Sequence, residues 1–188
     1  MPDAQPSTFT VLAHIPGVRT LTEERLAELW FRLSDEGLVE SLFHDGGVRN
    51  VGEFIAFMES GKVYCYVVYL EGVAVAFTWL NNFAGRAAMI HFAVLAAGRG
   101  VKAEVGRFVV HFLLHGRDSG GNYCLDALYG LTPEPYAHVL RFIRRLGFRR
   151  MGSIPGAVVI RKMEDEPPRY VGGIVSVCTR ESMEMLKR

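Results

Sequence analysis

An apolar run in the first half of the chain constrains the fold more strongly than any other feature. The segment VYCYVVYLEGVAVAFTWL, residues 63–80, is long enough to span a membrane as a helix. Glu71 and Gly72 lie at its centre, and valines and aromatic residues fill both arms. A charge at that position is costly in lipid, whereas a Glu-Gly pair suits a turn between two β-strands. We therefore predict a buried β-hairpin and no membrane contact.

Two helices are predicted before this hairpin. The first has capping-box spacing between Thr20 and Glu23, then an apolar stripe that ends at Gly37. The second begins with the same signature at Asn50 and ends at Gly61. The predicted order therefore opens with two helices, and the hairpin follows them.

The second half of the chain predicts alternating strands and helices. In order these are a strand 87–95, a helix 101–116, a strand 123–129, a helix 136–146, short strands 149–153 and 157–163, a strand 173–179 and a polar tail. A helical crossover joins strands 87–95 and 123–129, so these two should be parallel neighbours. We expect one α/β (α+β) domain over residues 1–188, with its core at about 10–163 and a C-terminal strand and tail at 164–188. Its mixed sheet should be mostly antiparallel, with helices on both faces.

Composition narrows the partners that the chain can have. The net charge is +1 and 49% of the residues are apolar, so bulk charge does not favour nucleic acid or an acidic membrane. The three cysteines are far apart and lack metal-ligand spacing. The opening MPDAQPSTFT has no basic patch followed by an apolar run. We expect a globular protein in a reducing, cytoplasmic location, without a secretion signal.

A glycine-rich loop lies between the predicted strand 87–95 and the following helix. Its sequence is AAGRGVKAEVGR, residues 96–107. Such a turn directs backbone N–H groups outward at the positive end of a helix dipole, where a pyrophosphate fits. Arg99 and Lys102 oppose that dipole unless a bound anion compensates them. The alternative is an ordinary tight connection with solvated basic side chains, and the residues alone leave both interpretations open.

This loop resembles the phosphate-binding loop of the GNAT superfamily of N-acetyltransferases. That family places an Arg/Gln-x-x-Gly-x-Gly/Ala sequence between its fourth strand and the next helix, and binds the pyrophosphate of acetyl-CoA there. Gly100 stands at the first conserved glycine of the pattern. A second segment, RFIRRLGFRRMG at 141–152, resembles the late helix, Leu-Gly-Phe turn and strand of the family. The resemblance covers about residues 63–160 in element order.

The chain departs from the family pattern at four positions. Ala97 stands where arginine or glutamine is usual, and Lys102 where a small residue admits the phosphates. Ile143 replaces a tyrosine that lies beside the departing thiolate, and Tyr136 replaces a common asparagine. We therefore expect a divergent GNAT member.

The resemblance implies acetyl-CoA, or another acyl-CoA, as co-substrate. The strand before the loop would supply backbone groups to the pantetheine arm and to the thioester carbonyl. The implied cofactor-binding residues are Phe92, Ala93, Val94, Leu95, Gly98, Arg99, Gly100, Val101 and Lys102. We expect no metal, because His111 and His115 could share a helix face but have no evident third ligand.

Acetyl transfer needs a neutral amine and a proton for the leaving thiolate, which indicates three candidate catalytic residues. His91 lies on the strand before the loop, and an unperturbed histidine has a pKa near neutrality. It is a candidate base, or else a partly buried structural histidine. Tyr129 and Tyr136 are phenols near the expected place of the leaving sulfur, and each could instead be a packing aromatic.

The predicted function is direct acyl transfer from acetyl-CoA to an amine, without a covalent enzyme intermediate. The acceptor is a small-molecule or peptide amine of unknown identity, and a homodimer is left open. The resemblance implies an acceptor cleft near residues 34–44 and 153–157, where Asp35, Glu36 and Glu40 are either cation ligands or surface charges. Two rivals stay open: a catalytically idle GNAT-fold binding or assembly protein, and an α/β domain that binds another phosphate-bearing ligand.

Overall fold

The computed structural model describes residues 8–161 and 167–187. Its strands and α-helices, in chain order, are β1 (Phe9–Ile15), β2 (Val18–Arg19), α1 (Glu23–Asp35), α2 (Val39–Leu42), α3 (Val51–Glu59), β3 (Tyr64–Leu70), β4 (Val73–Ala84), β5 (Ala87–Val94), α4 (Lys102–His115), β6 (Ala127–Pro133), α5 (Leu140–Arg144), β7 (Arg149–Ile160), β8 (Arg169–Thr179) and α6 (Arg180–Glu184). Short 3-10 helices occupy Ala96–Val101, Glu134–Val139 and Met185–Lys187.

One mixed sheet of eight strands runs through the described part of the chain, in the order β2-β1-β3-β4-β5-β6-β8-β7. Every neighbouring pair among these strands is antiparallel except β5 and β6, which the crossover through α4 makes parallel. The predicted mostly antiparallel sheet and its parallel pair are both confirmed. The C-terminal strand β8 lies inside the sheet, between β6 and β7.

The predicted hairpin is confirmed as β3 and β4. Glu71 and Gly72 both have positive φ, 51° and 79°, which is the conformation of a two-residue turn that matches the twist of paired strands. No helix within the described residues is long and apolar enough to cross a membrane.

Helices cover both faces of the sheet, as predicted. On one face α1 and α3 bury Trp30 and Phe54 against Phe77 and Trp79 of β4. On the other face α4 buries a separate cluster, whose members include Val105, Val109 and Leu114 from the helix and Ala76, Leu80 and Leu128 from the sheet. Each buried valine, leucine or phenylalanine side chain contributes about 1.5–3 kcal/mol when it leaves water, so two cores hold the layers together.

The helix caps confirm one prediction and correct another. Asn50 caps α3, where its side chain accepts the Glu53 N–H at 2.9 Å. The first helix begins two residues later than predicted, because Thr22 and not Thr20 is its N-cap. The Thr20 hydroxyl instead donates to the Ala13 carbonyl at 2.7 Å, which ties the segment before α1 to β1.

Four of the strands and α-helices were missed by the sequence pattern, and the two-residue strand β2 is one of them. Strand β1 precedes the helices and pairs with β3, from Phe9 opposite Leu70 to His14 opposite Cys65. Helix α2 has only four residues. The predicted polar tail folds into α6, which starts at a capping box formed by Thr179 and Ser182.

Several predicted boundaries were wrong in the second half of the chain. Strand β6 spans Ala127–Pro133 and not 123–129, because Tyr123 lies between the guanidinium groups of Arg117 and Arg180, each 4.0 Å from its ring centroid. The helix predicted at 136–146 is a 3-10 helix followed by α5. The two short strands at 149–163 form the single strand β7, whose register shifts between Ile154 and Val158. The end of that prediction, 162–163, lies outside the described residues.

Candidate functional site

Strands β5 and β6 form a V. They pair only through Ala87 with Ala127, Ala88 with Leu128 and Met89 with Tyr129. Beyond Met89, β5 stays paired with β4, while β6 stays paired with β8 as far as Pro133. The two parallel strands therefore separate, and a gap opens at the centre of the sheet.

The edge of β5 presents backbone groups to this gap. The Leu95 N–H donates to the Val75 carbonyl at 2.9 Å, so position 95 bonds towards β4. Backbone groups of successive residues in an antiparallel ladder face opposite sides. The N–H and C=O groups of Phe92 and Val94 therefore face the gap, whereas those of Ala93 face β4. Of the predicted backbone contacts from β5, only Phe92 and Val94 are placed to bind a ligand in this way.

The gap joins a cleft on each face of the sheet. The apolar cleft, on the α4 face, has a volume of about 130 Å³, and its lining residues include Gly106, Val110, Phe142, Ile143 and Leu146. The histidine cleft, on the other face, has a volume of about 330 Å³, and its lining residues include Ser41, His44, His91, Tyr136 and His138. Both clefts share Ile90, Phe92, Leu131 and Thr132, so they meet at the V.

The two glycines of the loop after β5 have different roles. Gly98 is buried, and a Cβ atom there would lie 2.3 Å from the Val75 carbonyl oxygen, so only glycine allows the loop this close to β4. Gly100 is exposed, and a Cβ atom there would meet no atom within 4 Å. Its φ is not positive, so its backbone does not require glycine. Its open face leaves the start of α4 accessible.

Helix α4 begins without a side-chain cap. Its N-cap residue is Val101, which offers no polar side chain to the first backbone N–H groups. The positive end of the helix dipole favours an anion there. The loop N–H of Ala96 is already occupied, since it donates to Glu36 at 2.5 Å, and Glu36 also accepts from Arg32 at 3.1 Å. Glu36 therefore holds the loop against α1, and is not a free carboxylate for a cationic acceptor.

His91 lies on the histidine-cleft side of β5. Its ring stacks on Trp79 with centroids 4.5 Å apart, and its Nε2 lies 3.1 Å from Asn81 Oδ1. Burial and, to a smaller extent, the nearby His44 lower the pKa of His91 to about 4, and Asp45 opposes this shift. The sequence-based expectation of a pKa near neutrality is therefore wrong for His91. Its catalytic role stays a prediction.

Comparison with known proteins places this geometry in a known fold. No protein-family model and no curated protein sequence matches the chain. The solved structure of aminoglycoside acetyltransferase AAC(6')-Ib with coenzyme A and kanamycin matches with a TM-score of 0.65 and 16% identity, over 95% of this chain and 100% of that one. The spermidine N-acetyltransferase from Vibrio cholerae with CoA and spermine matches with a TM-score of 0.64 and 12% identity, over 94% and 98%. An N-acetyltransferase from Staphylococcus aureus Mu50 matches with a TM-score of 0.63 and 13% identity, over 92% and 98%.

This chain has the GNAT fold. The fold predicted from the glycine-rich loop and the late helix is thus confirmed across nearly the whole chain. At these identities the similarity establishes the fold, and the chemistry must be argued from the residues at the V.

The two tyrosines of the sequence prediction lie in different places on the GNAT fold. Tyr129 is at the closed end of the V, opposite Met89, and its hydroxyl donates to the Asn82 carbonyl at 2.6 Å. Tyr136 lines the histidine cleft, with its ring centroid 6.4 Å from that of His44. Only Tyr136 shares a cleft with His91, and both tyrosines stay predictions as proton donors.

His44 was not singled out by the sequence pattern. It lies in the turn after α2, where its Nδ1 is 2.9 Å from the Val159 carbonyl oxygen and its own carbonyl accepts the Arg161 N–H at 2.7 Å. The preceding Phe43 stacks on Trp79, with centroids 5.2 Å apart. The turn therefore reaches from β4 to the end of β7 and spans the gap. Residues 34–44 were expected near the acceptor, but the contact with Val159 has no local sequence signal.

The residues that the structure describes include no group of three or more His, Cys, Asp and Glu side chains suited to a metal ion. The pair predicted to share a helix face, His111 and His115, stack with centroids 3.9 Å apart. His115 Nδ1 also lies 2.9 Å from the His111 carbonyl, which accounts for one of its two ring nitrogens.

Proposed function

We propose that this protein is an acyl-CoA-dependent N-acyltransferase that transfers an acetyl group from acetyl-CoA directly to an amine. The observation that carries the proposal is the V between β5 and β6, which joins clefts on opposite faces of the sheet. Two substrates can approach from these two sides and meet at one point. The similar structures include acetyltransferases held with CoA and an amine acceptor, which supports the proposal.

The residues on the loop side of the V fit an acyl-CoA. Phe92 and Val94 present backbone groups to the gap, and the start of α4, which has no side-chain cap, presents the positive end of its dipole to a pyrophosphate. The exposed Arg99 adds positive charge there. The apolar cleft accepts a narrow chain, because it is mainly lined by hydrocarbon and has a small volume. Acetyl-CoA would supply the activated acyl group, which the protein has only to hold and orient.

The full set of residues that the family resemblance assigns to acyl-CoA binding remains part of this proposal. Its members are Phe92, Ala93, Val94, Leu95, Gly98, Arg99, Gly100, Val101 and Lys102. Their roles differ, since Gly98 and Leu95 hold the loop against β4 while Gly100 leaves space at the helix start. Lys102 is the first residue of α4, where its side chain can neutralise a bound phosphate.

The histidine cleft fits an amine acceptor. Its volume of about 330 Å³ suits a small molecule or the end of a peptide. Ser41, Thr132 and Tyr136 supply hydroxyl groups along its walls, beside the apolar side chains of Leu42 and Leu131. The acceptor is therefore an amine with both polar and apolar parts.

Direct attack is favoured over a covalent enzyme intermediate. None of the three cysteines lines either cleft. Burial raises the pKa of the Cys65 and Cys178 thiols, which lowers the fraction of reactive thiolate. The amine nitrogen would bond to the acyl carbon as the carbon–sulfur bond breaks, and one proton must leave the amine.

A catalytically idle GNAT-fold binding protein is the second candidate. It is favoured by Ile143, an aliphatic residue in the apolar cleft where the family resemblance implies a tyrosine beside the thiolate. Incubation of the purified protein with acetyl-CoA and a panel of amines, with detection of released CoA, separates the two. Amine-dependent CoA release supports the enzyme, whereas CoA binding without release supports the idle module. Absence of CoA binding contradicts the enzyme.

A further inference from the structure

His44 combines a fixed tautomer with a place in the histidine cleft. Its Nδ1 lies 2.9 Å from the Val159 carbonyl oxygen, and a carbonyl oxygen only accepts hydrogen bonds. Nδ1 must therefore carry the hydrogen, and in the neutral ring the lone pair is on Nε2. No residue in the described part of the chain hydrogen-bonds to that Nε2, while the side chain lines the cleft.

The backbone around His44 holds the ring in place. The Arg161 N–H donates to the His44 carbonyl at 2.7 Å, and the Gly46 N–H donates to the Phe43 carbonyl at 2.9 Å. Phe43 is itself buried against Trp79. Contacts from β4 and β7 thus determine the ring position before any substrate binds, which is what an efficient proton acceptor requires.

Resting on the N-acyltransferase function proposed above, we propose that Nε2 of His44 accepts the proton that the amine loses during acyl transfer. The amine nitrogen bonds to the acyl carbon, the carbon–sulfur electron pair leaves with the CoA sulfur, and the amine proton passes to Nε2. The imidazolium then returns that proton to the thiolate, so the products are the amide and CoA thiol and the imidazole is neutral again.

His91 is less suited to this step, although it lines the same cleft. Its Nε2 faces the Asn81 side-chain oxygen, and its ring lies flat on Trp79. With a pKa of about 4 it is a weak base for an ammonium proton, because base strength falls with pKa. We infer that His91 shapes the cleft wall and that His44 moves the proton.

The charged and titratable groups around His44 come from four elements. They are Asp45 in the same turn, His91 on β5, Tyr136 and His138 in the 3-10 helix after β6, and Arg161 after β7. The pH dependence of the rate has to be assigned to His44 and not to one of these groups, so the test uses matched variants.

The kinetic test compares His44→Gln with His91→Gln and with His115→Gln, which lies on α4 outside both clefts. Turnover with the best amine of the panel is followed between about pH 5 and 9, and CoA affinity is measured by calorimetry. The kcat of His44→Gln should be about a hundredfold below that of the wild type, and the rate should no longer fall at acid pH. The affinity of this variant for CoA should be unchanged. The turnover rates of His91→Gln and His115→Gln should still fall at acid pH.

The outcomes distinguish this inference from the function on which it rests. A wild-type protein that releases no CoA with any amine contradicts the N-acyltransferase function and the inference with it. An active wild type with an equally active His44→Gln overturns the role of His44 alone. Nitrogen-15 NMR of the wild-type protein is an independent readout, because a hydrogen on Nε2 of neutral His44 would overturn the inference even if the variant failed to fold.

Discussion

Gly98 packs against the carbonyl of Val75 so closely that a Cβ atom at position 98 would lie 2.3 Å from the Val75 oxygen. This contact connects the loop after β5 to the neighbouring strand β4. The Leu95 N–H donates to the same carbonyl oxygen at 2.9 Å. Both Leu95 and Gly98 therefore contact the Val75 carbonyl. These contacts fix the position of the loop that leads into α4.

Gly98→Ala should destabilise the protein by about 1–3 kcal/mol, because the new methyl group displaces the loop or β4. Gly100→Ala is the matched control and should change stability by less than about 0.5 kcal/mol, since a Cβ atom there meets nothing. Urea unfolding of both variants at neutral pH measures the difference. Equal stabilities would show that the close contact does not constrain the loop.

Gly100→Val should weaken CoA binding while the fold stays intact. Its exposed position beside the uncapped start of α4 is the proposed route of the phosphates, and a branched side chain would obstruct it. We expect about a tenfold rise in the dissociation constant, or about 1.4 kcal/mol. Calorimetry on the folded variant measures it, and an unchanged constant would exclude Gly100 from the phosphate site.

CoA should stabilise the protein against heat. A ligand that binds only the folded state at about one hundred times its dissociation constant adds about 2.7 kcal/mol to the free energy of unfolding. Thermal melts with CoA, ATP and pyrophosphate in parallel separate a CoA site from a general anion site. If CoA raises the melting temperature no more than pyrophosphate does, the protein has only a general anion site.

Stability should fall at acid pH because of His91. Its pKa of about 4 in the folded chain lies below the roughly 6.5 of an unfolded histidine, so the unfolded chain binds more protons between these values. The full contribution is present above about pH 6.5 and is lost as pH falls towards about 4, a difference of about 3 kcal/mol. Urea unfolding at about pH 7 and 4.5 measures it.

His91→Gln should make that fall in stability smaller, since it removes the group that takes up the proton. Part of the pH dependence will remain, because burial also lowers the pKa of His14. If the stability of the variant depends on pH as strongly as that of the wild type, burial does not keep His91 neutral in the folded protein.

The sequence predicted the elements whose signals are local. The hairpin depends on Glu71 and Gly72, and α3 depends on the cap at Asn50, so a few neighbouring residues were sufficient. Strand β1 was missed because its identity depends on pairing with β3, more than fifty positions later in the chain. Tyr123 was assigned to a strand because aromatic residues favour strands, although two arginines cover it instead.

The sequence by itself therefore determined the strand, glycine loop and helix from β5 to α4, and through them the parallel partner β6. Periodicity and turn chemistry are properties of consecutive residues, which is why these elements were readable. Only the tertiary structure decided that β5 and β6 separate after Met89, that burial on Trp79 depresses the pKa of His91, and that Val159 orients His44. Each of these depends on atoms from distant parts of the chain, whose electrostatics and hydrogen bonds exist only once the sheet has formed.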